Sequence, residues 1–237
     1  MDKYVGQEHF LLAVDCIIFG FDGKSLKLLL IQRAFEPELH KWSLMGGFLQ
    51  ESEDLNEAAN RILKKLTGLE DIYLEQLHTF SSVKRDPAER TVSVSYFALI
   101  DIARYEKQIS HEYYAEWFLM DEHPKLIFDH DEMVELARKQ LRVKAAIQPI
   151  LFELLPPTFT IPQLQSLYEH VYDTVFDKRN FIRKLMSTGL LQKLEVKDMS
   201  GSRKGAFLYK FDNQGVKGTL DVFLNYINDK TELYASA

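Results

Sequence analysis

Residues 46–69 read GGFLQESEDLNEAANRILKKLTGL. A glycine pair ends an apolar run, a polar loop follows, and an amphipathic helix stops at Gly68. Leu55, Ala58, Ala59, Ile62 and Leu66 recur at helical spacing and define one packed face. Ser52 is the expected N-cap, with Glu53 and Asp54 in the positive first turn. Gly68 is the expected C-terminal stop. Upstream, HFLLAVDCIIFG (9–20) and LKLLLIQR (26–33) read as strands joined at the hairpin signal Asp22-Gly23. Downstream, 72–80 and TVSVSYFALIDI (91–102) read as strands flanking the charged loop KRDPAER, 84–90. Strands, a packed helix and more strands describe a mixed sheet with helices on its faces, an α+β fold.

The chain has 237 residues, 46% of them apolar, enough for a proper core and one large or two modest domains. Its one cysteine, Cys16, lies in an apolar run and reads as a small buried hydrophobe. Without a second cysteine no disulfide can close within the chain, which suits a reducing, cytoplasmic setting. No run of about 18 apolar residues exists, so no membrane partner is expected. The N-terminus, MDKYVGQEHF, lacks the pattern of a signal peptide.

The character changes after His130. DEMVELARKQL and KAAIQPILFELL have helical period, and Pro156-Pro157 breaks the chain. A helix over 162–172, a turn, a helix over 178–188, Gly189, and strands near 191–197 and 206–211 follow. Helix, turn, helix and hairpin together make a winged helix. Two domains are therefore expected, 1–145 and 146–237, with a helix over 144–155 opening the second. The net charge is −6, which argues against nucleic acid, but the charge is uneven. Residues 178–210 hold nine basic side chains against only Glu195 and Asp198, a local patch that attracts polyanions.

At about 100° per residue, Arg179, Arg183, Ser187, Asn180 and Lys184 share one face of the 178–188 helix. Phe181, Ile182 and Leu185 take the opposite face. Arg suits guanine edges and Asn suits adenine, so this is the side-chain set of a reading helix. Lys178, Arg179, Asn180, Arg183, Lys184 and Ser187 are the expected contacts to double-stranded DNA. Arg203 and Lys204, at the wing tip, join them as phosphate or minor-groove contacts.

The opening stretch resembles the Nudix box, GX5EX7REUXEEXGU, with U aliphatic. Gly47, Glu53, Arg61, Leu63, Gly68 and Leu69 fall on its positions. In that family the carboxylates of REUXEE hold magnesium on one helix face. Here those positions are Ile62, Lys65 and Leu66, which offer no oxygen ligands. Ordinary Nudix hydrolysis is therefore not expected, nor any catalytic residue, metal or cofactor. The competing reading is an enzyme using a displaced acid, Glu53 or Glu57.

Residues 154–191, with RDP at 85–87, VSVSYFAL at 92–99 and FDHDEM at 128–133, are similar to the Nudix-related transcriptional regulators of the NrtR family. The resemblance runs over about 10–220. It implies a homodimer in which a Nudix-like effector domain is joined to a winged helix-turn-helix. One branch of that family governs NAD metabolism and answers to ADP-ribose; others accompany sugar catabolism. The pocket of such a fold is lined by the sheet, the box loop and a cross-sheet loop. Candidates are Gln32, Arg85 and Asp86, and the chosen effector-binding set is Asp15, Arg33, Trp42, Glu53, His78, Lys84 and Arg90. Asp15 interrupts an apolar run and needs partners, Arg33 among them. Arg85 and Asp86 read as a pair across a turn. With the magnesium carboxylates gone, a pentose such as arabinose, or its phosphate, is the first expectation for the effector. ADP-ribose, held by Arg33, Lys84 and Arg90, is the second.

Overall fold

A computed structural model describes residue 4 and residues 6–109, 113–200 and 203–212. The expected DNA-binding domain, 146–237, thus extends beyond the described residues. The chain opens with two strands, β1 (Leu11–Phe21) and β2 (Leu26–Gln32). Asp22 Oδ1 closes the turn between them by accepting from the Lys24 and Ser25 amides, and Gly23 takes φ 88°. Two short strands, β3 (Trp42–Ser43) and β4 (Met45–Phe48), lead into α1 (Leu55–Thr67). β5 (Leu74–Phe80), β6 (Thr91–Asp101), a single-turn helix α2 (Ile102–Tyr105) and β7 (Glu116–Leu119) complete the first sheet. Its main path runs β3-β2-β1-β6-β5, with β4 also on β1 and β7 on β2. β1 is parallel to β6 and antiparallel to β2 and β4, so the sheet is mixed.

Period-two alternation sends the strands' side chains to two cores. Val14, Cys16 and Ile18 of β1, with Tyr96 and Ala98 of β6, pack under Ala58, Ala59, Ile62 and Leu63 of α1. Ile17, Phe19 and Phe21, with Phe97 and Leu99, face the other way. There they meet α3 (His130–Ile147), a single-turn-plus 3₁₀ segment (Ile150–Leu154) and the C-terminal helices. Burial on the first face pushes the Cys16 thiol pKa far up, as expected of an inert buried cysteine.

The helix expected over 144–155 is not one element. α3 continues unbroken through Lys144, Ala145 and Ala146, and Pro149 stops it. The residue before a proline is pushed out of the helical region, and Gln148 is extended at φ −134° and ψ 150°. Then come β8 (Phe159–Thr160), α4 (Ile161–Tyr172), α5 (Lys178–Ser187), β9 (Leu191–Asp198) and β10 (Ala206–Phe211). β8-β10-β9 form a three-stranded sheet, the wing of a winged helix. Its helices share a core with the first sheet, and the Ser166 hydroxyl of α4 donates to the Lys24 carbonyl at 2.8 Å.

Candidate effector pocket and nucleic-acid interface

The local structure of the opening stretch sets the site. Asp54, not Ser52, is the N-cap of α1: its carboxylate accepts from the Glu57 amide at 2.9 Å. The Glu57 carboxylate in turn accepts from the Asp54 amide at 2.8 Å, a capping box that starts the helix two residues later than the sequence suggested. Gly68 ends the helix in the left-handed region at φ 78°. A Cβ at Gly47 would come within 2.9 Å of Ile62 Cγ1, so the glycine lets β4 lie directly on the second half of α1.

Beside that contact lies a cavity of about 430 Å³. α1 contributes Arg61, Ile62, Lys65 and Leu66, all from its second half. The sheet contributes Asp15 from the middle of β1, Gln32 at the end of β2, and Gly46 and Gly47 of β4, while Arg33, Phe35, Arg85, Asp86, Tyr113 and Phe128 come from loops. The lining thus combines four cations, two acids and several aromatic rings. Phe35 is 57% exposed and lies under Arg33, whose guanidinium carbon is 4.0 Å from the ring centre and 5.4 Å from that of Phe128. Burial lowers the Arg33 pKa, Asp86 and Asp15 oppose this, and the guanidinium stays charged.

The wall of the cavity is a buried polar knot. Arg85 donates twice to Asp129, at 2.9 and 2.8 Å, and lies 3.5 Å from Asp15. Asp15 accepts from the Ser93 hydroxyl at 2.6 Å and sits 3.7 Å from His130 Nε2. His130 Nδ1 accepts the Leu44 amide at 3.2 Å, so its proton belongs on Nε2, facing Asp15. Burial, first among the causes, lowers the His130 pKa, and the ring is neutral. Arg85 therefore pairs not with Asp86 but with a residue 44 positions away. Segments 85–87 and 128–133, singled out separately in the sequence, meet in this pair.

Of the effector set read from sequence, Asp15 and Arg33 line the cavity; the other five do not. Trp42 packs edge-on against Phe118 at 4.7 Å and belongs to the core under the sheet. Glu53 is held by Arg61, whose Nε donates at 2.7 Å, and accepts the Gln50 amide at 2.9 Å. The Arg61 hydrogen bonds are the main reason that the Glu53 pKa is lowered. His78 is exposed on β5 with its ring edge-on to Phe80, and Lys84 is exposed in its loop. Arg90 is a loop staple, donating to the Ser81, Ser82 and Thr91 carbonyls. Arg61, Lys65, Tyr113, Phe128 and His130 line the pocket without having been singled out as effector contacts. For Lys65 the signal was present, because it stands on a box position.

The donor set does not fit a divalent metal at the box. Ile62 and Leu66 are aliphatic, Lys65 is a cation, Glu53 is paired with Arg61 and Glu57 is spent on the cap. Hard cations need several oxygen ligands at once, and among the described residues no cluster of three or more candidate ligands occurs.

The second candidate surface is built on α5. Asp177 caps it by accepting from the Asn180 amide at 2.9 Å, while Phe181 and Leu185 anchor it in the core. Lys178, Arg179, Asn180, Arg183 and Ser187 are exposed and Lys184 is half-buried. Arg183 Nη2 donates to Asn180 Oδ1 at 3.0 Å, which holds the two polar side chains together on the outer face. The Ser187 hydroxyl is turned back onto the Lys184 carbonyl at 2.6 Å. Arg203 and Lys204 are exposed in the hairpin joining β9 to β10. Below them Lys193 and Lys197 cover the Phe207 ring at 3.7 and 4.7 Å, so the basic stripe is also a packed one. No described helix is long and apolar enough to cross a membrane.

Residues 9–138 match the model of the NUDIX domain, and residues 151–211 match that of the NrtR DNA-binding winged helix domain. The ADPR responsive transcriptional repressor NtrR of Acinetobacter baylyi is 34% identical over 91% of this chain and 88% of its own. The crystal structure of Shewanella oneidensis NrtR with a 27mer DNA superposes with a TM-score of 0.76 at 30% identity, covering 88% of this chain and 96% of that one. The NUDIX domain of the same Shewanella oneidensis protein, solved with ADP ribose, covers 59% of this chain and 94% of its own, with a TM-score of 0.51 and 32% identity. The chain belongs to the NrtR family: it is a DNA-binding transcriptional regulator that joins a Nudix-fold domain to a C-terminal winged helix.

Proposed function

We propose that the Nudix-fold domain of this regulator senses ADP-ribose, binds it without hydrolysing it, and thereby sets the affinity of the winged helix for its operator. The observation that carries this reading is the cavity lining: Arg33, Arg61, Lys65 and Arg85 beside exposed aromatic rings. Cations suit a diphosphate and ring faces suit an adenine. A volume of about 430 Å³ is that of a site for a drug-sized ligand, and a free pentose would leave much of it to water. The named response of the Acinetobacter baylyi relative and the ligand of the Shewanella oneidensis domain support the same choice. They favour the second sequence expectation over arabinose.

Absence of turnover follows from the donor set at Ile62, Lys65 and Leu66. The regulator is further proposed to act in the cytoplasm as a homodimer on a near-palindromic site. One reading helix contacts too few base pairs to find an operator among a genome of competitors, and two-fold symmetry doubles the contacts. Titration calorimetry against ADP-ribose, AMP, ribose 5-phosphate and arabinose tests the effector. ADP-ribose should bind tightest and emerge intact from incubation with magnesium. Binding of arabinose with no response to ADP-ribose would overturn the reading, as would turnover that disappears in Glu53→Gln. Footprinting should show one dimer on one site; a monomer protecting a single half-site would defeat the dimer.

A further inference from the structure

We infer that the Lys65 ammonium stands in for the divalent cation, so that the effector's diphosphate is held by a charge built into the chain and binding needs no metal. This rests on the ADP-ribose reading above. Four cations line the cavity, and three have other engagements. Arg61 is bound to Glu53 and to the Phe48 carbonyl. Arg85 is bound to Asp129, with Asp15 behind it. Arg33 donates to the Phe35 carbonyl and is stacked on the Phe35 ring. Lys64, the neighbour of Lys65, is paired with Glu70 at 3.0 Å. Lys65 has no carboxylate within 4.0 Å among the described residues, although it is exposed at the cavity wall between Ile62 and Leu66.

The placement also answers an electrostatic problem. Of the cavity-facing residues of α1, Lys65 and Leu66 lie in its last turn, where the helix dipole disfavours an anion. A positive group at that end offsets the field as phosphates approach. A metal would need carboxylate ligands on the same wall, and the wall has Ile62 and Leu66 instead. A lysine supplies the charge with no ligand set at all, as a compact ammonium with three donors. It gives up the polarising strength of a divalent ion, which fits binding without turnover.

Calorimetry with the full-length protein tests the inference, using ADP-ribose and adenosine, each in EDTA and in magnesium. Wild type should bind ADP-ribose equally, within about twofold, in both media. Lys65→Met should lose about tenfold or more toward ADP-ribose, the worth of one charge-assisted contact, and keep its affinity for adenosine. Lys65→Arg should recover most of the loss. Thermal unfolding of each variant guards against a folding defect, which an exposed helical position should not cause. ADP-ribose binding that requires magnesium, or equal binding by Lys65→Met, overturns the inference and leaves the sensor reading standing. Failure of wild type to bind ADP-ribose in either medium overturns both.

Discussion

Asp15 is the residue on which the pocket wall turns. It interrupts an apolar strand, and its carboxylate gathers Ser93, Arg85 and His130 from three distant segments. Arg85 is nearly inaccessible, so truncating its main partner strands a buried cation. Asp129→Ala should therefore destabilise the fold by about 3 kcal/mol in urea unfolding, the low end for a broken buried pair because Asp15 remains. His130 gives the wall a pH dependence. Its folded pKa is lowered by burial, so the unfolded chain takes up the proton first as pH falls. That stability is fully present above the unfolded value of about 6.5 and is lost as pH drops below it, at no more than about 1.4 kcal/mol per pH unit. His130→Asn can offer an oxygen to the Leu44 amide and cannot titrate. Its unfolding free energy should be flatter with pH between about 7 and 5.5, and a slope equal to wild type would remove His130 as the source. Asp15 and Arg33 were legible in the sequence because each breaks or ends an apolar strand. Arg85 was legible as a pocket candidate but its partner was not, and Phe128 and His130 were not legible at all, since these contacts lie 44 to 115 positions away and no local pattern encodes them. Arg90 and Lys84 misled because charge alone does not say whether a loop residue faces the pocket or staples its own loop.

Among the elements, β1, β2 and β6 were readable because both faces are buried and their apolar runs are long. β7 is four residues of sheet with half of its side chains exposed, too short to show a period. The start of α1 was misplaced because Ser52 and Asp54 are both competent caps, and only the reciprocal bond with Glu57 selects between them. Asp54→Ala should cost about 1 kcal/mol. α5 was legible on both faces, since its apolar residues face a core and its polar ones have nowhere else to point. Its role divides from that of the wing. Arg183 is on the outer face of a rigid helix and pre-paired with Asn180. Arg183→Ala should cost about 1–3 kcal/mol at the operator and relax base choice at one position per half-site. Lys204 is on a hairpin tip, so Lys204→Ala should weaken binding evenly across sequences and reduce the salt slope by about one. Binding like wild type by both variants in a salt-titrated gel shift would exclude this face as the DNA surface.

At the scale of the molecule, α3 joins the two sites. Its first turn is the pocket wall: Asp129 precedes it and His130 begins it. Its last turns clamp the end of α4, where Arg142 Nε donates to the Val171 carbonyl at 2.7 Å and the Tyr172 hydroxyl donates to the Arg142 carbonyl at 3.0 Å. Six residues further on, the chain enters α5. A helix spanning the expected domain boundary was not legible from sequence, because 131–141 and 144–155 were read as separate helical segments and the boundary was set between them. An anionic effector that engages Arg85 would compete with Asp129 for the same guanidinium, and α3 is the packed element that connects Asp129 to the clamp on α4. A ligand shifts such an equilibrium only by its difference in affinity for the two arrangements. ADP-ribose and operator should therefore alter one another's affinity by one common factor, typically 5–150-fold. Loosening the far clamp with the double variant Arg142→Met, Tyr172→Phe should bring that factor toward one while leaving ADP-ribose affinity within about twofold. The measurement is a thermodynamic cycle: effector affinity with and without operator DNA, and operator affinity with and without effector. A double variant that retains the full wild-type factor would show that the signal passes to the reading head by a route other than α3.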